Sequence, residues 1–315
     1  KLCLSGTPVE NNLLELWSLL NFLMPNLLGT LSEFKFHFQK AIEQEGNQRK
    51  LDLLLKRIAP FMLRRTKQSV ASDLPEKTEI IQTIDLADEQ AKLYEAIKTS
   101  TWQDLQQQLE GTGNAGEQQL FVLSALLKLR QICCDPALIG EQEVPSAKRQ
   151  HCVDMARELV AEGRAILIFS QFTSMLDLIA SDLAKAKVPH KLLTGKTQNR
   201  QQLVDDFQAG EFSVFLISLK AGGVGLNLTR ADTVIHYDPW WNSAAEQQAT
   251  DRAHRIGQKN KVFVYKLIAE NTIEEKIAKL QERKALLGDS INEQAQQTGA
   301  KFSIKLEELL NLWAD

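Results

Sequence analysis

Two arginines, Arg252 and Arg255, stand three residues apart in "SAAEQQATDRAHRIGQ", with Gln248 one turn before them. At helical spacing these side chains share a face. A guanidinium is always charged and forked. A convergent pair therefore suits a triphosphate and the charge that develops during phosphoryl transfer. The plainer alternative is a solvated face with Asp251 and nearby acids as partners. A second candidate is "LKAGGVGLN", where Gly222, Gly223 and Gly225 remove side chains that would keep a backbone from a phosphate. Lys220 and Asn227 flank it and favour a polar ligand, although a tight strand-to-helix connection would use the same glycines. A third, "LLTGKTQN", ends as a phosphate-binding loop ends. That loop needs G-x-x-x-x-G-K-[ST], and the position that should hold its first glycine is His190. The match keeps the tail and lacks the bend, so it reads as false.

These residues need rigid supports. The apolar runs "AILIFSQF", "SVFLIS", "DTVIHYDP" and "KVFVYKLI" alternate with helical stretches, and "HKLLTG" adds a fifth. Such alternation implies an α/β fold, a parallel sheet with both faces covered. Ligands gather outside the carboxyl ends of its strands, where the glycine-rich loop and the arginine helix fall. That helix is predicted to start at Ser243, with Glu246 completing a capping box, and to stop at Gly257. The first half reads differently. "NNLLELWSLLNFLMP" is an amphipathic helix ended by Pro25, and helices follow over about 48–59, 88–110 and 118–134. "EGTGNAGE" between the last two reads as a flexible loop, "KTEIIQTIDL" as a strand, and "KLCLSGTP" as a short buried strand running into a turn. Arg64, Arg65 and Lys67 form a tight basic cluster.

The chain has 315 residues, 43% hydrophobic and 24% charged, enough for a large core and two structural units. A net charge of -3 and a pI near 6.1 give no global attraction for nucleic acid, so any basic surface is local. Cys3, Cys133, Cys134 and Cys152 lack C-x-x-C spacing and fit reduced, buried thiols rather than a disulfide framework or a metal site. With no signal peptide or membrane-length apolar run, the chain reads as soluble and intracellular, with no membrane partner. It begins at Lys1 with a strand that lacks neighbours, as expected for a piece cut from a longer protein.

Taken in order, "SGTPVENNLLELWSLLNFLMP", "PFMLRRTKQSVASDLPEKTE", "LRQICCDP", "ILIFSQF", "SLKAGGVGLNL", "ADTVIHYDPWWN" and "QATDRAHRIGQ" resemble Swi/Snf-type, helicase-like ATPases of helicase superfamily two. The resemblance spans almost the whole chain, and its compact spacing is similar to the bacterial branch. It implies two RecA-like lobes with ATP between them, the first lobe carrying the phosphate-binding loop and the acidic magnesium motif. Neither motif is visible here. Residues 1–75 then resemble the end of the first lobe and an α-helical protrusion. Residues 76–145 resemble an interlobe strand and a second helical protrusion, 146–271 the second RecA-like lobe, and 272–315 a brace helix with a helical tail. Within that tail Leu306, Leu309, Leu310 and Trp313 share one side, for docking on the lobe or on a partner.

The resemblance makes Arg252 and Arg255 paired arginine fingers, with Gly223, Gly225 and Gln248 on the ATP side. It makes Lys196, Thr197 and Asn199 a DNA-backbone contact region, and Ser218, Lys220, Asn227 and Trp241 further DNA contacts. For Trp240 and Trp241 packing and DNA coupling stay open, and for Arg64 and Arg65 an interlobe anchor or an approach to DNA. The implied partners are double-stranded DNA and the first lobe of the same chain. The implied cofactors are ATP and Mg2+, and the implied location is the bacterial, nucleoid-associated cytoplasm. Many members have Asn-His where this chain has Cys134-Asp135, Pro at Ser243 and Gly at Ala147, which touches local packing. The expected activity is that of an ATP-dependent translocase on duplex DNA, with the fragment itself inactive. An RNA-directed helicase of the same superfamily and a catalytically inactive docking module are the alternatives.

Overall fold

The computed structural model describes residues 1–4, 13–44, 46–63, 71, 73–110, 115–222, 225–241 and 243–290. These residues divide into two compact units, one drawn from 1–72 with 280–290 and the other from 73–279.

In the smaller unit, α1 (Leu13–Leu23), α2 (Leu31–Phe34) and α3 (Gln48–Ile58) surround a wide π-helical turn at Lys35–Gln44. Thr30 and Glu33 form a reciprocal capping box at α2, and Asn47 caps α3 through Lys50. The apolar stripes meet in a core of Leu13, Leu16, Leu20, Phe34, Ile42, Leu54 and Ile58. Lys1–Leu4, expected to be a buried strand, is not one. Leu2 and Leu4 are exposed, and a strand without a hydrogen-bonding neighbour gains nothing from extension.

The larger unit is built on a parallel sheet: β1 (Lys77–Ile84), β2 (Ile166–Ser170), β3 (His190–Leu193), β4 (Val214–Ser218), β5 (Thr233–His236) and β6 (Val262–Ala269). The strand order is β1-β6-β5-β2-β4-β3, and every pairing is parallel. All five expected apolar runs are strands. Every residue of β2, β4 and β5 is buried, as strands covered on both faces require. Alternate side chains divide between two cores. On one face Ile166, Ile168, Val214, Leu216 and Ile235 meet α6 (Ala147–Ala161) and α7 (Thr173–Lys185). On the other Leu167, Phe169, Phe215, Ile217 and Val234 meet α8 (Arg200–Ala209).

"KTEIIQTIDL" forms β1 and extends this sheet, pairing along its whole length with β6. Its half-exposed pattern is that of an edge strand. The long helices α4 (Asp88–Glu110) and α5 (Ala115–Cys134) follow β1. Helix α5 begins at Ala115, so the end of the expected flexible loop is helical. Among the described residues the remaining α-helices are the short α9 (Leu219–Gly222) and α10 (Ser243–Thr250) and the longer α11 (Ile273–Ser290). Arg64, Arg65, Lys67, Gly223 and the tail with Leu306, Leu309, Leu310 and Trp313 lie outside the described residues.

Candidate functional site

Strand β4 ends at Ser218 and runs straight into α9, which delivers the glycine-rich loop. Gly222 is required by close approach: a Cβ there would stand 2.8 Å from the Phe169 ring. Gly225 has φ +32, in the region that favours glycine. The two arginines grip this loop from outside. Arg252 Nε donates to Gly222 O at 2.9 Å, and an Arg255 terminal nitrogen donates to Leu226 O at 3.2 Å. Both side chains are half-buried. Burial, and then the like charge of Arg255, push the Arg252 guanidinium below its ordinary pKa, while Asp251 acts the other way. The two guanidiniums are thus held side by side, each donating to a backbone carbonyl of the glycine-rich segment.

The arginines reach this position from a turn, not from the expected helix. Helix α10 stops at Thr250, and 251–257 form successive turns. Long-range bonds draw the chain away from helical geometry. Leu228 N donates to Arg252 O at 3.0 Å, Thr250 Oγ1 meets His236 Nε2 at 2.8 Å, and the buried Gln258 amide donates to Ala231 O and Ala253 O. The helix starts at Ser243, as expected, and Glu246 accepts from Trp240 N at 2.6 Å. Gln248 lies half-buried on α10.

The other candidates gather on neighbouring loops at the same edge of the sheet. Ser218 is buried at the end of β4, while Lys220 and Asn227 are exposed on either side of the glycines. After β3, "TGKT" closes as a tight turn: Thr197 N donates to Thr194 O, and Thr197 Oγ1 accepts from Thr194 N. The Arg200 guanidinium ties it further, to Thr197 O at 3.2 Å and Gly195 O at 3.0 Å. Lys196 and Asn199 remain exposed at its tip, with Thr197 half-buried. Nothing in this geometry needs the missing glycine at His190.

Two buried polar clusters lie within the same unit. Beneath the carboxyl ends of β2 and β5, Asp238 is fully buried. Its Oδ1 accepts from Ser170 Oγ at 2.5 Å and from Gln171 N at 3.3 Å. Burial pushes its carboxyl pKa up, against the Arg130 charge. Arg130, 2% exposed, donates to Pro239 O at 2.6 Å and to Gln171 Oε1 at 3.2 Å. Its guanidinium lies 5.6 Å and 5.5 Å from the rings of Trp240 and Trp241, and 5.8 Å from Phe172. The tryptophans thus have a packing partner that "DPWW" alone did not reveal. The second cluster joins Lys148 to Glu274 at 2.5 Å, both fully buried. Burial alone would lower the Lys148 pKa, but Glu274, Cys134 and Asp238 together outweigh it and the net direction is up. Glu274 also accepts from Ala269 N, and Tyr237 donates to Cys134 O at 2.7 Å. Cys133, Cys134 and Cys152 are buried free thiols, and burial raises their pKa values; Cys3 is partly exposed. Asp135 caps the short turn at Pro136–Ile139 and pairs with Arg149 at 2.8 Å.

Strands β2 to β5 of the parallel sheet, with the glycine-rich loop and the two arginines, lie in a helicase conserved C-terminal domain. A SNF2-related domain matches residues 1–138, and a helicase conserved C-terminal domain matches 147–257. The chain is 40% identical to the putative ATP-dependent helicase/translocase YwqA of Bacillus subtilis, over 99% of this chain and 35% of that protein. It is 31% identical to the Sulfolobus solfataricus SWI2/SNF2 ATPase C-terminal domain, covering 75% of this chain and 98% of that one, with a TM-score of 0.57. The SWI2/SNF2 ATPase core of the same organism, solved in complex with dsDNA, is 36% identical over 98% of this chain and 65% of that one, with a TM-score of 0.59. The chain belongs to the SNF2 family. It spans about a third of the length of YwqA, and 27% of a Mycoplasma genitalium ATP-dependent helicase that is also 40% identical. Among the described residues, no helix is long and apolar enough to cross a membrane, and no cluster of His, Cys, Asp or Glu is placed to hold a metal.

Proposed function

We propose that the whole protein is an ATP-dependent translocase on double-stranded DNA, in which this region supplies Arg252 and Arg255 to a nucleotide site completed by an upstream lobe. The observation that carries the reading is the shared grip of the two guanidiniums on Gly222 O and Leu226 O. It puts two permanent charges on one loop, half-exposed, at the sheet edge where ligands bind. ATP with Mg2+, held chiefly by the upstream lobe, would draw both guanidiniums onto the terminal phosphates, where they neutralise charge developing in transfer. The same movement releases two carbonyls of the glycine-rich loop, which carries Lys220 and Asn227. Nucleotide state would then be felt by groups that touch the DNA backbone, with Gln248 supporting the nucleotide side. Lys196, Thr197, Asn199, Ser218 and Trp241 extend the track. Phosphate contacts are independent of sequence, as a motor that moves along any duplex needs. The relative solved in complex with dsDNA supports this substrate.

The test is ATP hydrolysis by the full-length protein with duplex DNA, single-stranded DNA and RNA, together with displacement of a third strand from a DNA triplex. Duplex DNA should stimulate turnover most, and the third strand should be displaced only with ATP. Stronger stimulation by RNA would replace this reading with an RNA helicase, and no hydrolysis with any polymer would replace it with a docking module. Residues 1–315 alone should not hydrolyse ATP.

A further inference from the structure

We propose that Arg130 is a positioning residue for ATP turnover: from helix α5 it fixes the segment 239–241, and through that segment the start of α10 and the arginine turn beyond it. The proposal rests on the reading of Arg252 and Arg255 given above.

Arg130 is 2% exposed, although a guanidinium is costly to bury. It spans three places distant in sequence: its own helix, the end of β2 through Gln171, and the segment after β5 through Pro239. Three aromatic rings, from Phe172, Trp240 and Trp241, stand around it. A planar, forked cation can bond two acceptors while its faces meet rings, so it fixes orientation as well as position. The next link is short. The backbone N–H of Trp240, whose ring stacks toward Arg130, donates to Glu246 on the first turn of α10 at 2.6 Å. Helix α10 ends at Thr250, two residues before Arg252.

The cluster is poorly built for stability alone. Among the described residues, Arg130 Nε, Gln171 Nε2 and Asp238 Oδ2 are buried with no hydrogen-bond partner, and the Arg130–Asp238 ion pair is open at 3.6 Å. Buried charges with incomplete bonding are generally matched or bettered in stability by apolar side chains of similar size. A cluster of this kind at the base of the site is better explained by the geometry it imposes. No signal within "LRQICCDP" shows this, because the partner loop lies 109 residues away.

The experiment uses the full-length protein with Arg130→Gln and Arg130→Lys, and with Arg252→Ala for reference. Turnover is measured well below the melting temperature of each variant, and amide hydrogen exchange is followed across the chain. Arg130→Gln should lower DNA-stimulated kcat about tenfold or more, with the KM for ATP within about twofold, as for an interaction realised in the transition state. Peptides covering 239–255 should lose protection while those of β2 and β4 keep theirs. Arg130→Lys keeps the charge and loses the fork, so it should show the same pattern more weakly. If Arg130→Gln does not fold, Arg130→Lys is read by the same criteria. A kcat within twofold of wild type, or unchanged protection at 239–255, overturns the proposal. Normal turnover by Arg252→Ala would instead sink the reading on which it rests, and the exchange measurement still decides the role of Arg130.

Discussion

The larger unit holds two sets of cations that look alike in sequence and differ in their surroundings. Lys148 is sealed in the core against Glu274, a side chain of opposite charge. Arg252 and Arg255 are half-buried and donate to the backbone carbonyls of Gly222 and Leu226. A buried ion pair is committed: removing either partner strands the other in a low-dielectric interior. A cation on a neutral carbonyl at the surface can leave for a phosphate, because the carbonyl can turn to water. The first arrangement holds a fold together. The second is the one proposed above to meet a nucleotide. Position at the carboxyl edge of the sheet and the presence of charge are common to both kinds of site, so the type of partner is what separates them.

This contrast predicts a graded set of stability effects. Lys148→Met should cost most, about 3–5 kcal/mol, because Glu274 is left charged and unpaired. In thermal unfolding that is a fall on the order of 10 °C for a unit of this size. A shift of only a degree or two would mean the pair contributes little and the contrast is wrong. Gly222→Ala comes next. Its Cβ would press on the Phe169 ring at 2.8 Å, for about 1–3 kcal/mol by denaturant unfolding. The strain falls on the residue whose carbonyl holds Arg252, so turnover should drop as well. Unaltered stability and turnover would show that Phe169 yields freely.

The third effect depends on pH. His236 is fully buried against Phe169 and Thr250, and burial lowers its pKa to about 3. It is neutral in the folded chain, whereas the unfolded chain takes up a proton below its ordinary value of 6.5. Stability is therefore undiminished by His236 above 6.5 and declines as the pH falls from there toward 3. His236→Gln should flatten that acid slope between these values, and an identical slope in the variant would remove His236 as its cause. Smallest of all should be Arg252→Ala or Arg255→Ala, about 1 kcal/mol each, since each loses a hydrogen bond at a half-exposed turn.

Much of this architecture was legible in the sequence. Runs such as "AILIFSQF" and "SVFLIS" are too apolar to face water on either side, so a covered parallel sheet follows from them. The motif order also revealed the family. Three features were not legible because tertiary contacts override local pattern. The partner of β1 is set by β6, nearly two hundred residues later. The arginine segment has helical spacing, yet Gln258, His236 and Leu228 bend it into turns through long-range bonds. "DPWW" shows two aromatic residues but not the buried guanidinium between them. In "LLTGKTQN" the missing glycine argues against a phosphate-binding loop, and the turn there is closed by Thr194 with Thr197 and by Arg200 on Thr197 O and Gly195 O.

The central claim, that Arg252 and Arg255 complete a transition state, is tested most directly by trapping ADP with aluminium fluoride on the full-length protein in the presence of duplex DNA. The wild type should form a long-lived complex. Arg252→Ala and Arg255→Ala should bind ADP with unchanged affinity, fail to form that complex, and hydrolyse ATP on the order of 10³-fold more slowly. Trapping by either variant as tight as that of the wild type would contradict the claim.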